Sequence, residues 1–310
     1  MARFGYTVLG FGSFTAGSVA VGVWSTGADQ LSSNRFASVI LGNSAAATIA
    51  GGYGSGGQVA TSEDWDGNAW EASDDNLSAA SHSATGGGGA SDGIYIAGNR
   101  SGSASKVTED WNGSAWAASD SCNSNHINGG GSADSKNAAI AVGGYASGAT
   151  SVAENYNGSS WTNLASGLTA RYYLPNNACG GATNFAAVTG KNASDARVTT
   201  NEHWTGSMGT TGSWATSDAI TTALDEDPAC FGKTAATDIV VSHGETASGP
   251  AGTTLEYFSG AWRTGPTAPA SVRNNYGGGQ TGAGITAGGY LESAGAYQDD
   301  TRIYTRGGST

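Results

Sequence analysis

Six copies of one aromatic-bearing segment, spaced about 46 residues apart, predict an all-β chain: a six-bladed β-propeller closed by pairing its two ends. Three observations lead there. Trp24, Trp70, Trp116, Trp161, Trp214 and Trp262 follow one another at intervals of 46, 46, 45, 53 and 48 residues. A second series, Trp65, Trp111, Tyr156, Trp204, Phe258 and Tyr304, accompanies the first, and all nine tryptophans fall in one or the other. The composition agrees. With 51 Gly, 5 Pro, 28 aromatic residues and only 12% charged residues among 310, the chain suits many short strands joined by tight turns. No window sustains a 3.6-residue apolar period, so helix is expected to be scarce.

The two aromatic series enclose a hairpin. Glu63-Asp-Trp-Asp-Gly-Asn-Ala-Trp70, Glu109-Asp-Trp-Asn-Gly-Ser-Ala-Trp116 and Glu154-Asn-Tyr-Asn-Gly-Ser-Ser-Trp161 are near-copies, with looser copies at 202–214 and 256–262. Asp-Gly or Asn-Gly between two aromatics signals a turn, because these residues tolerate positive φ, and the aromatics then face each other across the strands. Each hairpin supplies the two outer strands of a blade. Upstream lies a second recurring pattern, a glycine cluster and then an apolar run ending in Gly, as in Gly129–Gly131 with Ala139-Ile-Ala-Val-Gly-Gly144. These are the two inner strands, where glycine suits close backbone approach.

Two glycines after an apolar strand, then Glu-x-aromatic, a turn and Trp, resemble the kelch repeat, over residues 18 to 310. The departures are an aromatic-to-Trp spacing of five, a second glycine replaced at Asn99 and Lys191, and Ser242-His-Gly244 for the doublet in the fifth copy. The resemblance implies a six-bladed kelch-like β-propeller with terminal strand closure. Trp24 has no aromatic five residues before it, only Val19, and no Trp follows Tyr304. The strand around Val19 to Ser25 is therefore expected to complete the blade formed by residues 272–306. Residues 1–17, with Tyr6, Leu9, Phe11 and Phe14, form a separate apolar segment that either packs on the rim or anchors to something else.

Candidate binding residues are those leading into the innermost strands, which ring one mouth of a propeller: Arg35, His82, His126, Arg171, Tyr172 and Arg273, with Asn274 beside the last. They bind a ligand or are merely solvated loop residues. The repeating Glu63, Glu109, Glu154, Glu202 and Glu256 are read as structural acceptors, one per blade, and Asp225-Glu226-Asp227 as a surface acidic run. Cys122, Cys179 and Cys230 lack metal-ligand spacing and are read as buried free thiols, with one disulfide as the alternative.

A net charge of −12 with four lysines and no basic cluster argues against nucleic acid and anionic membranes as partners. No run of about 18 apolar residues occurs, so no membrane insertion is expected. The start, with one charge and a glycine-broken apolar stretch, matches a signal peptide weakly, and Sec-type secretion is not expected. Asp74-Asp75-Asn76 and Asp299-Asp300 match no defined calcium loop, so neither metal nor cofactor is predicted. The hairpin Gly-x-x-Trp is similar to the Asp box of sialidases, but the Asp and Ser of that motif are misplaced. The copper ligands of galactose oxidase find no counterpart either, and no enzyme activity is expected. The composition and the opening Phe4-Gly-Tyr-Thr-Val-Leu-Gly-Phe-Gly12 resemble phage decoration and tail-appendage proteins. That resemblance implies a virion-surface structural or adhesion protein, held to virion proteins by residues 1–17 and touching host surface glycan. The alternatives are a kelch-type protein- or carbohydrate-binding module unrelated to virions, which could be cytoplasmic, and, further off, a sugar-active enzyme.

Overall fold

The computed structural model describes residues 22–27, 34–165, 167–176, 179–209, 211–234 and 238–306. The anchoring residues Tyr6, Leu9, Phe11 and Phe14 lie outside them. The fold is all-β, its only helical piece among the described residues being a 3-10 turn at Glu292–Ala294. Six antiparallel sheets of four strands follow one another along the chain. The first contains Val39–Asn43, Ala46–Ala50, Ser62–Trp65 and Trp70–Ala72, and the second to fifth repeat that order. The sixth takes three strands, Gly277–Gln280, Ala283–Ala287 and Thr301–Arg306, from the chain's end, and its fourth, Gly22–Thr26, from the beginning. Trp24 pairs with Tyr304, as the two unmatched aromatics predict. The paired strand starts at Gly22, and Val19 lies outside the described residues.

The hairpins form for local reasons. Trp65 pairs with Trp70, Trp111 with Trp116, Tyr156 with Trp161 and Trp204 with Trp214, their rings 5.1–5.7 Å apart. In the first three turns the Asp66, Asn112 or Asn157 side chain accepts the N–H groups two and three residues on, and Gly67, Gly113 and Gly158 take φ of 97°, 93° and 88°.

The fifth hairpin differs from expectation. Trp262 faces Tyr257, not Phe258, which pairs with Ala261 across the two-residue turn Ser259-Gly260. The spacing of five therefore holds here too. Glu256 is displaced by one residue as a consequence. The register partner equivalent to Ile49↔Glu63 is Val241↔Leu255, so Leu255 occupies the repeating glutamate's place. Alternate strand residues point to opposite faces, and Glu256 instead meets Tyr304, Arg263 and Arg306.

Successive sheets touch through their first strands: 39–43 against 85–89, 85–89 against 130–135, and onward to 277–280, which also touches 39–43. The closing tryptophans join neighbours as well. Trp116 donates to Ser62 Oγ of the preceding sheet at 3.0 Å, Trp70 to Thr301 Oγ1 at 2.7 Å and Trp24 to Thr254 Oγ1 at 3.0 Å. The thiol expectation is corrected in part. Cys179 and Cys230, on adjoining sheets with Cα atoms 5.6 Å apart, form a disulfide, while Cys122 is free and buried. Their side chains come together because the first strands of the fourth and fifth sheets are neighbours.

Candidate functional site

Each module enters its sheet through a short extended segment that pairs with the residue after the glycine doublet: Phe36 with Tyr53, His82 with Asn99, Ile127 with Tyr145, Tyr172 with Lys191, Asp225 with Glu245 and Arg273 with Tyr290. This register corrects the glycine pattern. The invariably glycine position is the second, at Gly52, Gly98, Gly144, Gly190, Gly244 and Gly289, with φ of 86–111°. The first is Gly51, Ala97, Gly143, Thr189, His243 or Gly288, so Ala97 and Thr189 mark the replaced glycines, not Asn99 and Lys191. A Cβ at Gly52 would lie 2.3 Å from Ser38 Oγ and 2.9 Å from Phe36 O, which excludes a side chain there.

The register also splits the six predicted residues into two sets. Arg35, His126 and Arg171 precede the paired position and are at most 2% exposed. Arg35 binds Glu63, Arg171 binds Glu202, and His126 Nε2 lies 3.2 Å from Glu154 Oε1. The same side chains reach the carbonyl of the first doublet residue: Arg35 to Gly51 O, His126 to Gly143 O and Arg171 to Thr189 O. In the sixth sheet Arg302 stands in the glutamate's place and donates to Gly288 O at 3.0 Å. In the fifth, Leu224 and Leu255 fill both places within one apolar cluster. Arg35, His126 and Arg171 are thus interior partners of the repeating carboxylates. A buried carboxylate requires such pairing.

His82, Tyr172 and Arg273 occupy the paired position itself and lie at the surface of one face. There His82 and Arg273 line a depression of about 410 Å³. Phe36, Tyr290 and Tyr297 form one wall, the Phe36 and Tyr297 rings stacked at 5.2 Å and 27°. Tyr290 packs on both, and Arg273 lies 5.2 Å over the Tyr290 ring. Tyr173 forms another side, its ring tilted against Tyr172, which in turn meets the exposed Tyr145. The floor is polar: Ser83, Asn128, Glu226 and Asn274.

The floor is held by unusual backbone. Ala37, Ser83, Asn128, Tyr173, Glu226 and Asn274, one per module, all have φ of 50–58°. Such conformations cost about 1 kcal/mol or more each and persist where the surroundings enforce them. Backbone hydrogen bonds do so here: Ala37 N–H to Asn274 O, Ser83 N–H to Ala37 O, Asn128 N–H to Ser83 O and Asn274 N–H to Glu226 O, at 2.6–3.1 Å.

The acidic run is not a surface feature. Asp225 and Asp227 are fully buried, and only Glu226 is partly exposed. Asp227 Oδ2 accepts from Asn274 Nδ2 at 3.2 Å and from the Tyr276 hydroxyl at 3.1 Å. Burial, with the Glu226 charge beside it, pushes the Asp227 carboxyl well above the usual carboxylate range. Burial also raises Glu226, against the pull of Arg273, and lowers His82.

Phe36, Tyr173, Tyr290, Tyr297 and Glu226 were not among the residues predicted from sequence. A signal for the wall existed: Gly-Gly-Tyr recurs at 51–53, 143–145 and 288–290, and each tyrosine follows the doublet on this face. A second concavity, of about 440 Å³, lies at the other ends of the first strands. It is lined largely by glycines, with Asn43, Asp134 and Gln280 as its main polar side chains. It offers no aromatic surface. Among the described residues no three His, Cys, Asp or Glu side chains are grouped to hold a metal ion.

No protein-family model matches the chain, and no curated protein matches it either.

Proposed function

We propose that the six sheets are the blades of a kelch-like β-propeller, and that the chain is a binding protein which holds a glycan in the depression on one face without chemical turnover. One observation carries the reading. Every module contributes a residue to that single depression, and its polar floor is flanked by aromatic rings. The unbroken series of first-strand contacts supports the circular arrangement, as does the Ala37–Asn274 hydrogen bond between the first and last modules. Ligand sites favour concave surfaces with apolar walls and a few convergent polar groups. Sugar rings present an apolar face that stacks on aromatic side chains and a hydroxylated edge that needs such groups. On the same proposal the protein sits at a virion surface, with residues 1–17 attaching it to virion proteins.

Binding to immobilised oligosaccharides, compared between the parent and the Phe36→Ala and Tyr297→Ala variants, tests the site. Each variant should weaken binding by roughly tenfold or more, from lost stacking area. Binding to no glycan, or unchanged binding in both variants, would remove the reading. Particle incorporation unchanged on deleting residues 1–17 would remove the virion placement alone.

A further inference from the structure

We infer that the depression selects by charge: it accepts an uncharged pyranose, rejects carboxylated or sulfated sugars, and owes this to Glu226. The inference rests on the glycan reading above and adds the class of sugar.

Recognition of an acidic sugar needs a positive group free to meet the anion, as guanidinium or ammonium does. Three basic side chains stand at or beside the depression, and each is already engaged. Arg273 Nη1 lies 3.2 Å from Glu245 Oε2 and 3.6 Å from Glu226 Oε2, while its guanidinium rests on the Tyr290 ring. Arg197 is held by Asp225 Oδ1 at 2.7 Å and Glu245 Oε1 at 2.9 Å. Lys191 lies 3.1 Å from Asp225 Oδ2 and 3.6 Å from Asp195 Oδ1. This chain of pairs uses four carboxylates for three cations, so the excess charge is negative. Turning Arg273 toward an incoming anion would take from Glu226 its ion-pair partner and leave Glu245 to Arg197 alone. At the remaining basic ring, His82, burial disfavours the protonated form, and Nδ1 is spent on Ser83 Oγ at 2.8 Å.

The floor has the opposite aptitude. Glu226 offers carboxylate oxygens, which accept hydrogen bonds from sugar hydroxyls and repel a second carboxylate or a sulfate. Asn274 stands beside it, its amide 3.5 Å from Glu226 Oε2. A neutral pyranose can lie against Phe36 and Tyr297 and donate to this edge. An anionic one brings like charges together in a partly desolvated site, where repulsion discriminates strongly.

The test uses matched probes, a hexose oligosaccharide and its uronic-acid counterpart oxidised at C6. Binding of both to the full chain is measured by calorimetry at low and moderate salt. The neutral oligosaccharide should bind roughly tenfold or more tightly, with the gap narrowing as salt screens the repulsion. In Glu226→Gln the ratio of the two affinities should fall severalfold. In Arg273→Gln it should rise, because Glu226 is released. Equal or tighter binding of the uronic acid by the parent, or a ratio the same in all three proteins, would overturn the charge selection and leave glycan binding standing. Binding of neither probe would overturn both.

Discussion

The Arg171–Glu202 pair can be replaced by leucine on both sides at far lower cost than on either side alone. The fifth module supplies the template, since Leu224 and Leu255 occupy the corresponding places inside a continuous apolar cluster. Arg171 is fully buried. It binds Glu202 and also donates to Thr189 O at 3.3 Å and Thr200 O at 3.0 Å. Arg171→Leu therefore strands a carboxylate that is 5% exposed and removes a donor from three carbonyls, Thr169 O included. An uncompensated buried charge costs about 3–5 kcal/mol, so about 4 kcal/mol is expected. Glu202→Leu strands the guanidinium and releases the Thr169 N–H and hydroxyl, for a similar loss of about 4 kcal/mol. In the double variant no charge remains, and two leucines bury apolar surface worth about 1.5–3 kcal/mol each. Against the carbonyls still unpaired, the net loss should be about 2 kcal/mol. Equilibrium urea unfolding of the four proteins measures the cycle. Additive losses, with the double variant near 8 kcal/mol or failing to fold, would refute the view that Leu224–Leu255 and Arg171–Glu202 are interchangeable solutions.

Four further outcomes are expected. Thiol titration should find no reactive cysteine in the native protein, one after unfolding and three after unfolding with reductant, because Cys122 is buried with its thiol pushed up to about 12 and the other two are joined. Three thiols without reductant would exclude the Cys179–Cys230 bond. Its loss in Cys179→Ala/Cys230→Ala should cost about 4 kcal/mol for a separation of 51 residues, or about 8 °C in Tm. Asp227→Asn should stabilise the protein at neutral pH. A carboxyl raised in the fold contributes fully below its unfolded value near 3.8 and loses that contribution as pH rises through the folded value. Parent and variant should therefore converge below pH of about 4, and a gap that does not vary with pH would contradict this. Trp24→Ala removes ring contacts with Phe231, His243 and Tyr304 and the bond to Thr254, and should cost about 3 kcal/mol by thermal melting; a melt like the parent's would deny the N-terminal strand a part in the sixth sheet.

Much of the fold was legible because the repeat has few chemical solutions. Trp24 and Tyr304 announced each other, since an aromatic without a cross-strand partner is incomplete. The site was half legible for a reason of register. Arg35 and Phe36 are adjacent, yet one is interior and the other lines the depression, and a shift of one residue in a strand exchanges its faces. Selecting by residue type joined Arg35, His126 and Arg171 to His82, Tyr172 and Arg273. Counting back from the residue after each glycine doublet separates the two sets. The fifth module misled for the same reason, Leu255 holding the place that the repeat spacing assigns to Glu256. The disulfide depends on which modules adjoin, and cysteine spacing alone does not encode that.

The pairing of Gly22–Thr26 with Thr301–Arg306 has a temporal side. At ordinary translation rates the first strand leaves the ribosome on the order of tens of seconds before its partner exists. The bond from Trp24 to Thr254 spans 230 residues and that from Trp70 to Thr301 spans 231, so two tryptophans of the nascent chain wait together for its far end. Until then the first and fifth sheets each present an unshielded flank. Such flanks invite pairing between chains, and the growing protein is most vulnerable to its own neighbours on a polysome in the interval before Thr301–Arg306 is made.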